Sequence, residues 1–195
     1  MKKFIILIPI YNDWKSVFQL LENIDLQIAK WDAEVLVLII NDGSTEERTV
    51  TELSFKNIKT VRVMNMKQNQ GHARCNAAGL KYLTEKEDFD YVILMDGDGE
   101  DRPEELTSLF NKSKENPLKT VTANRIKRSE GSFFKLLYEC HKILTYVFTG
   151  KLIKFGNYSC LPKEDAARLV KEACIWSSFS GSVTKIISDR VSVPS

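Results

Sequence analysis

The sequence of 195 residues predicts an α/β domain, a mostly parallel sheet covered by helices on both faces. Three observations lead there. Apolar runs of strand length, such as those within "KKFIILIPIY", "AEVLVLIINDGST" and "DYVILMD", alternate with stretches whose apolar residues recur at helical spacing. The runs are continuously apolar rather than alternating, which marks strands buried on both faces, as in a parallel sheet between helix layers. Each of these strands also ends in a polar signal made of Asn, Asp, Gly or Ser.

Taken in order, "KKFIILIPIY" is the first strand. "DWKSVFQLLENIDLQI" is a helix, because Val17, Leu20, Leu21 and Ile24 fall at i, i+3, i+4 and i+7. "AEVLVLIINDGST" is a second strand that breaks at Asp42-Gly43, and "TEERTVTELSF" reads as helical. "IKTVRVMNM" is a third strand, "HARCNAAGLKYLTEK" a helix of small residues, and "DYVILMD" a fourth strand. Pro103 opens a helix over "PEELTSLFNKSKENP". Beyond it, "KTVTANRIKRSEGS" is a short strand that runs into a basic turn, followed by the long aromatic stretch "FFKLLYECHKILTYVFTGKLIKF". "LPKEDAARLVKEAC" is a helix with Pro162 near its start, and "TKIISDRVSVPS" resembles a final strand.

Composition limits what the chain can be. With 43% hydrophobic and 10% aromatic residues it can bury one core, and no Pro-, Gly- or Ser-rich linker divides it, so a single domain over 1–195 is expected. Lys and Arg number 28 against 26 Asp and Glu, a balance that argues against bulk nucleic-acid binding and makes any anion recognition local. Cys75, Cys140, Cys160 and Cys174 lack C-x-x-C pairing and zinc spacing, so they read as reduced intracellular thiols. "FIILIPI" is too short for a signal peptide or a membrane span, and no other segment reaches the roughly 20 apolar residues that spanning requires.

Ligands of parallel α/β sheets bind beyond the carboxyl ends of the strands. Three strand ends bring polar residues to that rim: Pro9-Tyr11-Asn12-Asp13, Asn41-Asp42-Gly43-Ser44 and Asp96-Gly97-Asp98. Crowded carboxylates beside a core repel one another unless a cation neutralises them. Asp96, Asp98 and Glu100 offer hard oxygens suited to Mg²⁺ or Mn²⁺, and glycines on either side of Asp98 allow the backbone to approach a bulky ligand. The plainer alternatives are a helix cap from Ser44 or Thr45, and an acidic turn in which Asp101 alone caps the helix after Pro103. Arg125, Lys127 and Arg128 form a basic turn, which reads either as a phosphate clamp or as a solvated loop. The aromatic stretch after it suits an interfacial helix or the core. Glu164-Asp165, the late acidic pair, reads as a helix cap, and His72 and His141 as surface or packed residues.

"IPIYND", "LIINDGSTEE", "NQGHARCNAAGL" and "DYVILMDGDGEDRPEEL" resemble, in order and spacing, the hallmarks of the inverting family 2 glycosyltransferases over about residues 4 to 110. The resemblance implies the GT-A fold, a Rossmann-like nucleotide-diphospho-sugar transferase domain. Residues 1–110 would form its nucleotide-binding half. Residues 111–195 would form an acceptor-side half that stops at Ser195, where membrane helices often follow in one branch. It further implies that Pro9, Tyr11 and Asp13 wrap the base and ribose of a UDP- or GDP-hexose. Asp42 would accept a hydrogen bond from the base, and Gly71 and Arg74 would flank the nucleotide. Asp96 would touch ribose or metal, and Asp98 would bind the metal directly. Asn41 departs from the commoner Asp.

The run from Asp96 to Pro103 and "ANRIKRSEGSFFKLL" are similar to the polyprenyl-phosphate group of that family, with Arg125 and Arg128 matching its R-x-x-R segment and Glu100 replacing the usual Gln. This implies a lipid-phosphate acceptor, work at the cytoplasmic face of a membrane, and Arg128 beside the metal in stabilising the leaving diphosphate. A sugar hydroxyl as acceptor, or a nucleotide-sugar-binding module without catalysis, are the alternatives.

Overall fold

The computed structural model describes residues 1–46, 54–124 and 155–195. The helix expected over "TEERTVTELSF" lies largely outside the described residues, as do Arg125, Arg128 and nearly all of the aromatic stretch.

Seven strands form one sheet in the order β3-β2-β1-β4-β6-β5-β7. They are β1 (Lys2–Ile10), β2 (Ala33–Asn41), β3 (Ile58–Asn65), β4 (Tyr91–Leu94), β5 (Thr120–Asn124), β6 (Phe155–Pro162) and β7 (Arg190–Pro194). The first four are mutually parallel; β6 is antiparallel to both β4 and β5, and β5 is parallel to β7. Only β6 therefore runs against the rest.

The helices are α1 (Trp14–Gln27), α2 (His72–Lys86), α3 (Leu106–Glu115), α4 (Lys163–Leu169) and α5 (Phe179–Ile186). β1 shows why two helix layers are needed. Its residues Phe4, Ile6, Ile8 and Ile10 face one way and pack with Val17, Leu20, Leu21 and Ile24 of α1 and Leu106, Leu109 and Phe110 of α3. Ile5 and Leu7 face the other way, toward Leu80 and Leu83 of α2. Full burial of each such side chain contributes about 1.5–3 kcal/mol. Phe4 stacks on Tyr91 at 4.7 Å between centroids, and Trp31 on Phe110 at 4.1 Å. Gly79 lets α2 come close, since a Cβ there would lie 2.5 Å from Leu7 Cδ1.

The later elements differ from the sequence expectation in three places. β6 lies in "FGNYSCLP", which carries no expected strand, and α5 occupies Phe179–Ile186, so the final strand begins at Arg190 rather than in "TKII". Ser178 causes the second difference: its hydroxyl accepts the Gly181 N–H at 3.2 Å and caps a helix. The third is that α4 ends at Leu169, followed by a 3₁₀ turn at Ala173–Trp176. Cys75, Cys160 and Cys174 are free thiols.

Candidate active site

The sheet order places β2 and β3 on one side of β1 and β4 on the other, so the direction of winding reverses between β1 and β4. At such a switch point the loops leaving the two strands turn to opposite faces and open a crevice at the carboxyl edge. Pro9 to Asp13 leave β1 there and Asp96 to Asp98 follow β4, with the end of β2 alongside.

The β2 end is tightly held. Asp42 is only 4% exposed. Its Oδ1 accepts the Gln70 N–H at 2.7 Å and its Oδ2 the Gly71 N–H at 2.8 Å, while its own N–H donates to Ile10 O at 2.9 Å. Asp42 thus joins the ends of β1 and β2 to the loop that starts α2. Gly43 is required by the same approach: its φ is +70°, and an added Cβ would lie 2.8 Å from backbone atoms of Gln68 and Asn69. Burial, then a hydrogen bond to Asp42, pushes the Cys75 thiol up to about 12, so it stays protonated. Tyr11, just beyond β1, is 48% exposed, unusual for so large a side chain beside the core.

The β4 end is a compact acidic turn. The Asp96 N–H donates to Asp101 Oδ2 at 2.9 Å, and Asp101 is 3% exposed. Asp101 therefore closes the turn on itself rather than capping the helix that follows; Arg102 occupies that cap position, with no side-chain cap bond. Asp98 Oδ1 accepts the Glu100 N–H at 2.9 Å, and Asp98 and Glu100 both lie exposed. The glycines beside Asp98 differ. A Cβ on Gly97 would meet Ile10 Cγ2 at 2.9 Å and Pro9 O at 3.1 Å, so its missing side chain admits β1. Gly99 has φ +82° and open space around it.

Two residues that the sequence did not single out as functional complete this rim. Asn157 of β6 donates from Nδ2 to Asp96 Oδ1 at 3.2 Å and lies 2.8 Å from His72 Nε2. His72, the first residue of α2, also places Nε2 3.1 Å from Asp96 Oδ1 and 2.9 Å from Asn76 Nδ2. Burial lowers the His72 pKa, but the hydrogen bond to Asp96 and the charges of Asp96, Asp98 and Asp101 outweigh it, so the net shift is upward. Arg74, two residues on, donates to Gln70 Oε1 at 3.1 Å. The only signal for His72 in the sequence is its place directly after Gly71, at a helix start.

Among the described residues, no three His, Cys, Asp or Glu side chains converge as a metal cage. The donor chemistry still fits Mg²⁺ or Mn²⁺, because hard divalent ions are commonly held by one or two carboxylates together with substrate phosphates. Asp96 and Asp98 at the switch point are suited to that share of the ligand set.

The chain has the GT-A fold, shared with solved glycosyltransferase structures. It aligns with S. aureus TarS 1-349 at a TM-score of 0.58 and 17% identity, over 99% of this chain and 58% of that one. With the mannosyltransferase PcManGT from Pyrobaculum calidifontis, in complex with GDP-Man and Mn²⁺, the TM-score is 0.60 at 17% identity, over 98% and 54%. Residues 5–175 match Glycosyl transferase family 2, and the chain belongs to that family. Its curated relatives include an undecaprenyl-phosphate 4-deoxy-4-formamido-L-arabinose transferase of Klebsiella pneumoniae (strain 342), 29% identical over 82% of this chain and 47% of the relative. A dodecaprenyl-phosphate galacturonate synthase of Rhizobium johnstonii is 22% identical over 86% and 48%. The chain spans about half the length of these relatives.

Proposed function

We propose that this glycosyltransferase moves a hexose from a UDP- or GDP-sugar to a polyprenyl phosphate, with inversion at the anomeric carbon. The observation that carries the proposal is that the ends of β1, β2 and β4 lie together at the carboxyl edge, with Asp96 and Asp98 at the β1/β4 switch point and the buried Asp42 anchoring the neighbouring loop rather than facing a ligand. Tyr11 and Asp13, with Pro9 behind them, would line the base and ribose site. Gly71 and Arg74 would flank the nucleotide from the start of α2. Asp96 and Asp98, with Glu100 nearby, would hold Mg²⁺ or Mn²⁺, which supplies a Lewis acid for the charge on the departing diphosphate. An oxygen of the acceptor phosphate attacks the anomeric carbon as the bond to the diphosphate breaks. Arg125 and Arg128, outside the described residues, are assigned to the acceptor phosphate and the leaving group by resemblance.

Two observations support the phosphate acceptor. Both relatives named above carry a polyprenyl phosphate in their names. The late acidic pair offers no base at this rim, because Asp165 is 6% exposed and accepts from Thr120 Oγ1 at 2.7 Å and Arg168 at 3.1 Å. Thr120 opens β5, at the amino edge of the sheet, so Asp165 lies at the end away from the crevice. It also forms no side-chain cap on α4. An ionised phosphate needs no general base, whereas a sugar hydroxyl does.

On this reading the enzyme works at the cytoplasmic face of a membrane. Among the described residues no helix is long and apolar enough to cross one. The test is transfer from several UDP- and GDP-hexoses to short polyprenyl phosphates and to soluble glycans, with and without Mn²⁺. Metal-dependent transfer to the lipid phosphate is expected. Transfer to glycans alone would overturn the acceptor, and nucleotide binding with no turnover on any pair would leave a binding module.

A further inference from the structure

Asn12 is the one non-glycine residue with a positive φ, +52°, among the described residues. It lies two residues beyond β1, and the left-handed turn sends its side chain across to the loop after β2. There Oδ1 accepts the N–H of Thr45 at 2.8 Å and of Glu46 at 3.2 Å, and Nδ2 donates to Thr45 Oγ1 at 3.0 Å. The Asn12 N–H donates to Ser44 Oγ at 2.9 Å. Four hydrogen bonds from one residue therefore join two strand-end loops that the β ladder itself does not join.

We propose that Asn12 is a positioning residue of the donor pocket, fixing Tyr11 on one loop relative to Asp42 on the other. The inference rests on the nucleotide-sugar reading above. Its physical basis is preorganisation: a loop already held in its binding geometry loses less entropy when a ligand orders it. An unusual backbone conformation that neighbouring contacts hold in place is a device that recurs at ligand sites. Global stability has little need of the latch, because β1 and β2 already pair along nine residues each and bury both faces.

The test measures UDP and GDP binding in the presence of Mn²⁺ by calorimetry for the wild type, Asn12→Ala and Asn12→Gly, beside thermal unfolding of each. Glycine accepts φ near +52° without strain, so Asn12→Gly isolates the loss of the side-chain bonds. Both variants are expected to bind the preferred nucleotide about tenfold more weakly, with faster amide exchange at Thr45 and Glu46. Melting temperatures are expected within about 3 °C of the wild type. Affinities within twofold of the wild type, or a loss only in proportion to the unfolded fraction, would overturn the proposal. A wild type that binds neither nucleotide would overturn the donor reading first and this inference with it.

Discussion

Asp42 and Gly71 are joined by a hydrogen bond of 2.8 Å from the Gly71 N–H to Oδ2, so the end of β2 holds the first turn of α2. The other oxygen takes the Gln70 N–H, leaving the carboxylate as a bidentate anchor for the loop. Asp42→Asn replaces one acceptor oxygen with an NH₂ group facing an N–H. The expected cost is about 2 kcal/mol, read as a fall of about 4–8 °C in melting temperature.

The two glycines around this anchor are expected to behave differently. Gly43→Ala meets both a positive φ and backbone atoms at 2.8 Å, and should destabilise by about 2 kcal/mol or more. Gly71→Ala, at φ +88° and ψ 156° in a region that glycine nearly alone adopts, has nothing within 4 Å of the added Cβ and should lose only the conformational part, about 1–2 kcal/mol, without the clash met at Gly43. Urea unfolding of the two variants checks the order, and equal losses would contradict the close packing at Gly43.

A third prediction concerns acid stability. Asp25 accepts the N–H groups of Lys56, Asn57 and Ile58 and the Asn57 amide. Burial raises its pKa, but these bonds outweigh burial and hold it below the ordinary value of 3.8. With a lowered folded pKa, its contribution is present above the unfolded value and is lost as pH falls through the folded one. Asp25→Asn should lower stability at neutral pH by about 1–3 kcal/mol and flatten the decline of the urea midpoint below pH 4. An unchanged acid profile would show that other carboxylates set it.

Much of this architecture is legible in the residues, for a physical reason. β1, β2 and β4 are buried on both faces, so continuous apolar runs mark them; the edge strand β3 is half-exposed and shows instead as the alternation of Val61 and Val63 with polar residues, and α1 and α2 carry their periodicity openly. β6 is hidden because "FGNYSCLP" mixes Gly, Asn and Ser, and because its stability comes from antiparallel pairing with β4 and β5 far away in the chain. Gly181, with Ser180 and Ser182, masks α5 in the same way. The strand-end carboxylates follow from local pattern. The contact of His72 and Asn157 with Asp96 does not, since it depends on β6 lying beside β4. Asp101 reads as a helix cap in sequence, yet only the folded turn shows its carboxylate bound to the Asp96 N–H.

On the proposed function, substitution of Asp98 should separate catalysis from stability. The aspartate is exposed, and its Oδ1 accepts the Glu100 N–H at 2.9 Å, a bond that an asparagine oxygen can keep. Asp98→Asn is expected to leave the melting temperature within about 2 °C and to cut transfer by about 100-fold or more. Unaltered transfer in a folded variant would remove Asp98 from the metal site.

The most direct measurement is a calorimetric titration of the wild type and Asp98→Asn with UDP and GDP, each with and without Mn²⁺. A nucleotide diphosphate that shares its cation with the acidic turn should bind tightly only when Mn²⁺ is present, and the variant should lose that metal-dependent gain. Nucleotide affinity that is the same in both proteins and indifferent to the metal would contradict the account.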